Sequence, residues 1–256
     1  MHDISIHPVR AFHDNYVWTL RRGSSAAVVD PGDAKPVLAY LNAEKLQLCA
    51  ILNTHHHADH VGGNAELLAH YKVPVYGPYD ERIPTVTRRV AEGDRFTLDG
   101  FGIEFQVFEI PGHTRSHIAF YGGGMLYCGD TLFACGCGRL FEGTPSQMHA
   151  SLSKLAKLPD ATHVYCGHEY TLANIKFAKA AEASNTELAK WEQAASALRA
   201  KGEPTLPSTL AQERLANPFL RCDQPAVIAA ASQHAGKPLA DAVSVLGALR
   251  DWKNNF

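Results

Sequence analysis

Over residues 1–168 the chain repeats one texture: short runs of β-branched, aromatic and aliphatic residues that break at glycine, proline or aspartate. "NYVWTLR", "AAVVDPGD", "LCAILNT", "VPVYG", "IEFQVFEIPG", "HIAFYGG", "MLYCGD" and "HVYCGH" have the length and residue types of strands. Between them "AKPVLAYLNAEK", "NAELLAHY" and "SQMHASLSKLAKL" space apolar residues three and four apart, the period of one helix face. Strands interleaved with helices predict an α/β layered core, with sheets inside and helices outside.

After Tyr170 the strand-like runs stop. "TLANIKFAKAAEASN", "TELAKWEQAASALRAKG", "STLAQERLAN" and "AVIAAASQHAG" are rich in alanine, leucine and other helix formers, and a last helix is predicted near "ADAVSVLGALRDWKNNF". Asn185 and Gly202 read as helix stops, and Pro204 and Pro207 frame a loop. The change of texture predicts two domains, an α/β domain over 1–169 and an all-helical one over 170–256. The opening "MHDISIHPVRAFHDNY" reads as the start of the fold rather than as a signal.

Composition removes some function classes. A net charge of −2, with lysine and arginine scattered and at most paired (Arg21–Arg22, Arg88–Arg89), gives no footprint for nucleic acid. No run approaches the roughly 20 apolar residues of a membrane span, so no membrane partner is expected. The six cysteines, without a signal sequence, read as reduced thiols of a cytoplasmic protein. Cys135-Gly-Cys137 is tighter than a CxxC motif and reads as small packing thiols in a loop.

The densest chemistry is "NTHHHADH", Asn53 to His60, with four histidines and an aspartate in eight residues. Burying so many titratable groups unpaired is costly, and a cation that accepts several lone pairs at once resolves the conflict. His55 and His57, two apart in extended backbone, point to one face. Asp59 and His60 follow, and Gly62-Gly63 is expected to turn the chain sharply into the next helix. Such a loop serves two neighbouring ions, His55 and His57 facing one, Asp59 and His60 the other. Four groups are too few to close two sites. Three strand-like runs supply the rest, each ending in glycine plus a ligand type: "FEIPGH" at His113, "LYCGD" at Asp130 and "VYCGH" at His168. Five imidazoles and two carboxylates result, with Asp130 suited to bridge. This nitrogen–oxygen set fits Zn²⁺ and also iron or manganese. Two ions roughly 3.5–4 Å apart can share a hydroxide, with the water's pKa brought to about 7, which predicts hydrolysis.

"THHHADH" matches the HxHxDH signature of the metallo-β-lactamase superfamily, and His113, Asp130 and His168 follow in that family's order. The resemblance implies an αββα sandwich with a dinuclear site at one edge, covering residues 1–169, followed by the helical domain. Site 1 would take His55, His57, His113 and Asp130; site 2 would take Asp59, His60, His168 and Asp130. Asp59 and Asp130, with the bridging hydroxide, would be the catalytic groups. Fold alone leaves the activity open. "DNYVW", "VVDPGDA", "IPGHT", "GDTLF", "GCGRLFEGT", "VYCGHEYT", "PSTLAQERLANPFLR" and "LRDWKNNF" resemble the glyoxalase II (hydroxyacylglutathione hydrolase) family nearly end to end, helical domain included.

That resemblance implies a thioester hydrolase acting on S-(2-hydroxyacyl)glutathione, chiefly S-D-lactoylglutathione, to give glutathione and D-lactate, the second step of methylglyoxal detoxification. It implies a cytoplasmic monomer with two divalent metal ions, Zn²⁺ ahead of iron or manganese. The glutathione moiety would lie between the metals and the helical domain. Arg250 and Lys253 match positions that hold the glycyl carboxylate; on the residues alone they read as a cationic helix end worth about 0.3–1 kcal/mol. Tyr170 matches a contact to the glutathione backbone, and Arg139 a basic contact held by lysine in some members. Phe141 departs from relatives with tyrosine there, leaving an apolar or backbone contact. Asp30 resembles an aspartate that orients a metal-bound histidine, and reads equally well as a turn residue. Two other readings are a mononuclear iron persulfide dioxygenase on the same fold and a non-catalytic, metal-stabilised binding module.

Overall fold

The computed structural model describes residues 4–256; the first three, counted above in the first domain and in the start of the fold, lie outside the described residues. Two compact units are present, one comprising the chain through Glu109 with Ser116–Gly129, the other Ile110–Arg115 with Asp130–Phe256.

In the first unit, strands Ser5–Ala11, Asn15–Arg22, Ser25–Val29, Gln47–Leu52, Val75–Gly77 and Arg88–Arg89 lie side by side in chain order. The first three pair antiparallel and the rest parallel. Parallel neighbours need crossover connections, and helices Ala34–Ala43 and Asn64–His70 lie in the first two. Val37, Leu41 and Leu67 on those helices pack with Val17, Val28, Ile51 and Val75 of the sheet. A second, antiparallel set runs Arg95–Thr97, Glu104–Glu109, Ile118–Gly122 and Met125–Gly129. Phe96 of this set stacks on Tyr76 of the first sheet, centroids 4.2 Å apart, and meets Phe105 and Phe120 of its own. An aromatic layer thus joins the sheets inside this unit. Among the strands absent from the predicted runs is Ser5–Ala11, an edge strand interrupted by Pro8, which an edge tolerates.

In the second unit the helices Thr171–Ala181, Thr186–Ala200, Leu210–Ala216, Pro225–Ala235 and Ala242–Asn254 follow the expected order. Two details differ from expectation. Asn185 starts a helix rather than stopping one: the preceding helix ends at Ala181, and the Asn185 side chain accepts the Glu187 amide as an N-cap. Ser208–Thr209 pairs antiparallel with His163–Val164, a strand too short to leave a period in the sequence. Gly202, at φ +72°, ends its helix as predicted.

Glu213 is fully buried in this unit, where its carboxylate accepts the Cys135 amide, the Asn217 side-chain amide and the Ser208 hydroxyl. Burial outweighs those donors and raises its pKa from 4.5 to about 7. A raised pKa means that stability is full below the unfolded value and declines as pH rises towards the folded one. The loss is about 3 kcal/mol. Glu213→Gln should therefore be more stable than the wild type at pH 8 by up to that amount more than it is at pH 5. Urea midpoints of the metal-free proteins at both values check this; a difference independent of pH contradicts it.

Candidate metal centre

In the first unit, the loop after strand Gln47–Leu52 carries His55, His57, Asp59 and His60. Asp30, at the end of the neighbouring parallel strand, holds it: one carboxylate oxygen accepts the Thr54 amide at 2.8 Å, the other the Thr54 hydroxyl at 2.7 Å. The second oxygen also faces His60 Nδ1 at 3.1 Å. The Asp30 backbone is in the left-handed region and its carbonyl accepts the Gly32 amide, so the residue makes the turn and holds the histidine together. With its hydroxyl donated to Asp30, Thr54 accepts from His55 Nδ1 at 3.0 Å. These bonds place the protons of His55 and His60 on Nδ1 and leave Nε2 of each with a lone pair.

Gly62 and Gly63 act differently from expectation. Both have ordinary helical φ, −60° and −80°. They are needed for close approach: a Cβ on Gly63 would lie 2.5 Å from the Pro31 carbonyl oxygen, and one on Gly62 2.8 Å from that of Gly32. Gly129 does carry a left-handed turn, at φ +46°, and a Cβ there would lie 2.2 Å from Thr54 Oγ1. Pattern reading also missed Asn15, which donates to Asp59 Oδ2 at 3.0 Å. A buried asparagine at the start of a strand leaves no periodic signal.

The second unit holds His113, Asp130 and His168. His113 Nε2 and His168 Nε2 lie 3.5 and 3.3 Å from the same oxygen, Oδ2 of Asp130. His113 Nδ1 faces the Arg139 carbonyl at 2.9 Å, so its proton sits there and Nε2 again carries the lone pair. His168 is held between aromatic neighbours, stacked on Tyr170 and edge-on to Phe133.

Donor spacing tests whether these groups fit a cation. Nitrogen ligands at 2.0–2.1 Å in a tetrahedron stand roughly 3.3–3.4 Å apart. Within the first unit, His55 Nε2 and His57 Nδ1 are 3.2 Å apart, and His60 Nε2 and Asp59 Oδ2 3.4 Å. With the two Asp130 pairs, all four separations fall between 3.2 and 3.5 Å. Charge-assisted hydrogen bonds would be shorter, about 2.7–2.9 Å. In each unit the donors have the spacing and chemistry of ligands to a divalent metal. Ligand atoms of Asp30, His55 and His60 also lie within 4.8 Å of one another, but both Asp30 oxygens already serve Thr54 and His60 Nδ1.

A cavity of about 500 Å³ in the second unit is lined by His113 and Asp130 together with Arg139, Phe141, Tyr170, Arg250 and Lys253. Three cations against one carboxylate, itself facing two imidazoles, give this cavity a predominantly cationic lining. Arg250 is 4% exposed, donates to the Cys137 carbonyl at 2.7 Å and lies over the Phe219 ring. Lys253 donates to Asn174 Oδ1; burial, then the Arg250 charge, lowers its pKa to about 8. Phe141 stands at the rim, 64% exposed and edge-on to His113. Cys135 and Cys137 are buried, and burial raises both thiols above their usual range, consistent with packing groups. The described cysteines form no disulfide.

Comparison with known proteins matches residues 11–168 to the metallo-beta-lactamase superfamily and residues 169–256 to "Hydroxyacylglutathione hydrolase C-terminus". The Nitrosomonas eutropha protein named hydroxyacylglutathione hydrolase is 55% identical over 99% of both chains. Its namesake from Alkalilimnicola ehrlichii is 55% identical over 96% of this chain and 97% of its own. Among solved structures, TTHA1623 in a di-iron-bound form is 34% identical, with a TM-score of 0.55 over 63% of this chain and 91% of its own. The α/β sandwich with a helical C-terminal region is thereby the fold of this chain.

Proposed function

The chain belongs to the hydroxyacylglutathione hydrolase family of the metallo-β-lactamase superfamily, and we propose that it hydrolyses S-(2-hydroxyacyl)glutathione thioesters, chiefly S-D-lactoylglutathione. In this reading His55, His57 and His113 would hold one cation and Asp59, His60 and His168 the other, with Asp130 available to both. Zinc is the first choice, with iron supported by the di-iron form of a relative. Bound, such a pair supplies hydroxide at neutral pH and polarises the thioester carbonyl.

The chain's own groups do the rest. Asp30, Thr54 and the Arg139 carbonyl fix the proton on Nδ1 of His60, His55 and His113, so that each imidazole offers Nε2 without reorienting. Asn15 holds the Asp59 carboxylate. The observation that carries the substrate assignment is the cavity in which two candidate ligands share walls with Arg139, Arg250 and Lys253. Glutathione carries two carboxylates, which these cations complement. Tyr170, packed on His168 and Phe133, gives the peptide part of the substrate a wall. Phe141 gives an apolar rim. The helical region 170–256 is then the substrate-binding domain, following a catalytic domain over 1–169.

The test is loss of thioester absorbance with S-D-lactoylglutathione, with metal content measured on the same sample. Two metals and rapid cleavage are expected; metal without cleavage would refute the assignment. Oxygen uptake with glutathione persulfide in place of cleavage would return the dioxygenase reading, which the relatives' names support less.

Lys253 adds a pH dependence. Its pKa of about 8 means that the ammonium is lost as pH rises through that value. KM for the anionic substrate should therefore rise between about pH 7 and pH 9, with kcat changing less. Lys253→Arg, protonated throughout, should flatten the rise. A rise that survives in the arginine variant places its origin elsewhere.

A further inference from the structure

Two candidate ligands of the second unit, Asp130 and His113, meet at the base of one small hairpin, Leu132–Phe133 paired with Gly136–Cys137. At that base the Gly138 amide donates to the Thr131 carbonyl, and a Cβ on Gly138 would lie 1.9 Å from the Asp130 carbonyl oxygen and 3.1 Å from His113 Nδ1. The next residue, Arg139, supplies the carbonyl that orients His113. A ladder this short does not hold its own shape. Cys135 at the tip sits at φ +57°, which a non-glycine side chain keeps only when neighbours impose it.

The tip is gripped from the helical region. Asn174 donates to the Ala134 carbonyl at 2.8 Å. Asn217 donates to the Phe133 and Gly136 carbonyls at 3.2 and 2.9 Å. Glu213 accepts both the Cys135 amide and the Asn217 amide, each at 2.9 Å, so it orients the hairpin directly and orients the asparagine that holds it. We propose that Glu213 is a positioning residue for the metal centre: through Cys135 and Asn217 it fixes the hairpin whose base sets Asp130 and the carbonyl that orients His113. This rests on the ligand roles given to Asp130 and His113 above.

Three variants separate positioning from general packing. Glu213→Gln can accept both amides on one oxygen and donate to Ser208, whose hydroxyl rotates to suit. Glu213→Ala removes the grip. Ser208→Ala removes only the donor on the far oxygen. The full-length protein, loaded with Zn²⁺, is mixed with excess chromogenic chelator well below each melting temperature, and zinc release is timed. Glu213→Ala should release zinc about 10–100-fold faster than the wild type, the scale for partners that orient ligands. Glu213→Gln and Ser208→Ala should stay near the wild-type rate. Folded Glu213→Ala releasing at the wild-type rate overturns the proposal, as does equal acceleration in all three. Should Glu213→Ala fail to fold, Asn217→Ala decides by the same readout. The assay needs no turnover: wild type that holds zinc firmly but leaves the thioester intact refutes the hydrolase reading and not the role of Glu213.

Discussion

Asp130→Ala should lose metal and thioester hydrolysis together. Both His113 Nε2 and His168 Nε2 face one oxygen of this carboxylate, so its removal takes the shared donor from both cations of the proposed pair. It also leaves two buried imidazoles without the anion they face. Bulk water has a pKa of 15.7 against about 7 beside a suitable cation, so the supply of hydroxide at neutral pH falls by many orders of magnitude without the pair. The expected result is at most one equivalent of metal and turnover reduced at least about 10⁴-fold, measured by elemental analysis and thioester absorbance on one preparation. Full activity in a verified metal-free sample would remove the basis of the mechanism.

Arg250→Ala should act on binding. The guanidinium is buried, held by the Cys137 carbonyl and the Phe219 face, and Arg250 lines the cavity that Lys253 also lines. A charge-assisted hydrogen bond to a substrate carboxylate contributes about 1.5–3 kcal/mol, or roughly 10–100-fold in kcat/KM, expressed mainly in KM. The comparison that isolates this contact uses a thioester whose glycyl carboxylate is capped as an amide. The variant should be impaired on the natural substrate and close to wild type on the capped one. An equal loss on both would mean that Arg250 acts through the hairpin carbonyl it holds rather than through substrate.

The candidate metal donors are legible because their chemistry is local in sequence: histidines and aspartates crowded into residues 53–60, then ligand types after glycine at three strand ends. The cationic pair on the last helix was ambiguous by itself, since Arg250 and Lys253 equally suit a helix terminus. Their place beside Asp130 in one cavity supports the proposed contact with substrate. Asn15, Asn174, Asn217 and Glu213 were not legible. Each works by a side-chain hydrogen bond to a partner at least 40 residues away or to another such side chain, and no spacing rule encodes that. Pro8 hides the edge strand Ser5–Ala11, and the roles of Gly62 and Gly63 leave no local signal because contact with the Pro31–Gly32 loop, rather than φ, demands them.

The most direct measurement is anomalous diffraction at the metal edge from crystals of the loaded, active protein. Two peaks are predicted, roughly 3.5–4 Å apart, with His55, His57 and His113 around one, Asp59, His60 and His168 around the other, and Asp130 touching both. A single peak, or a pair that leaves Asp130 or His168 uncoordinated, would contradict the account.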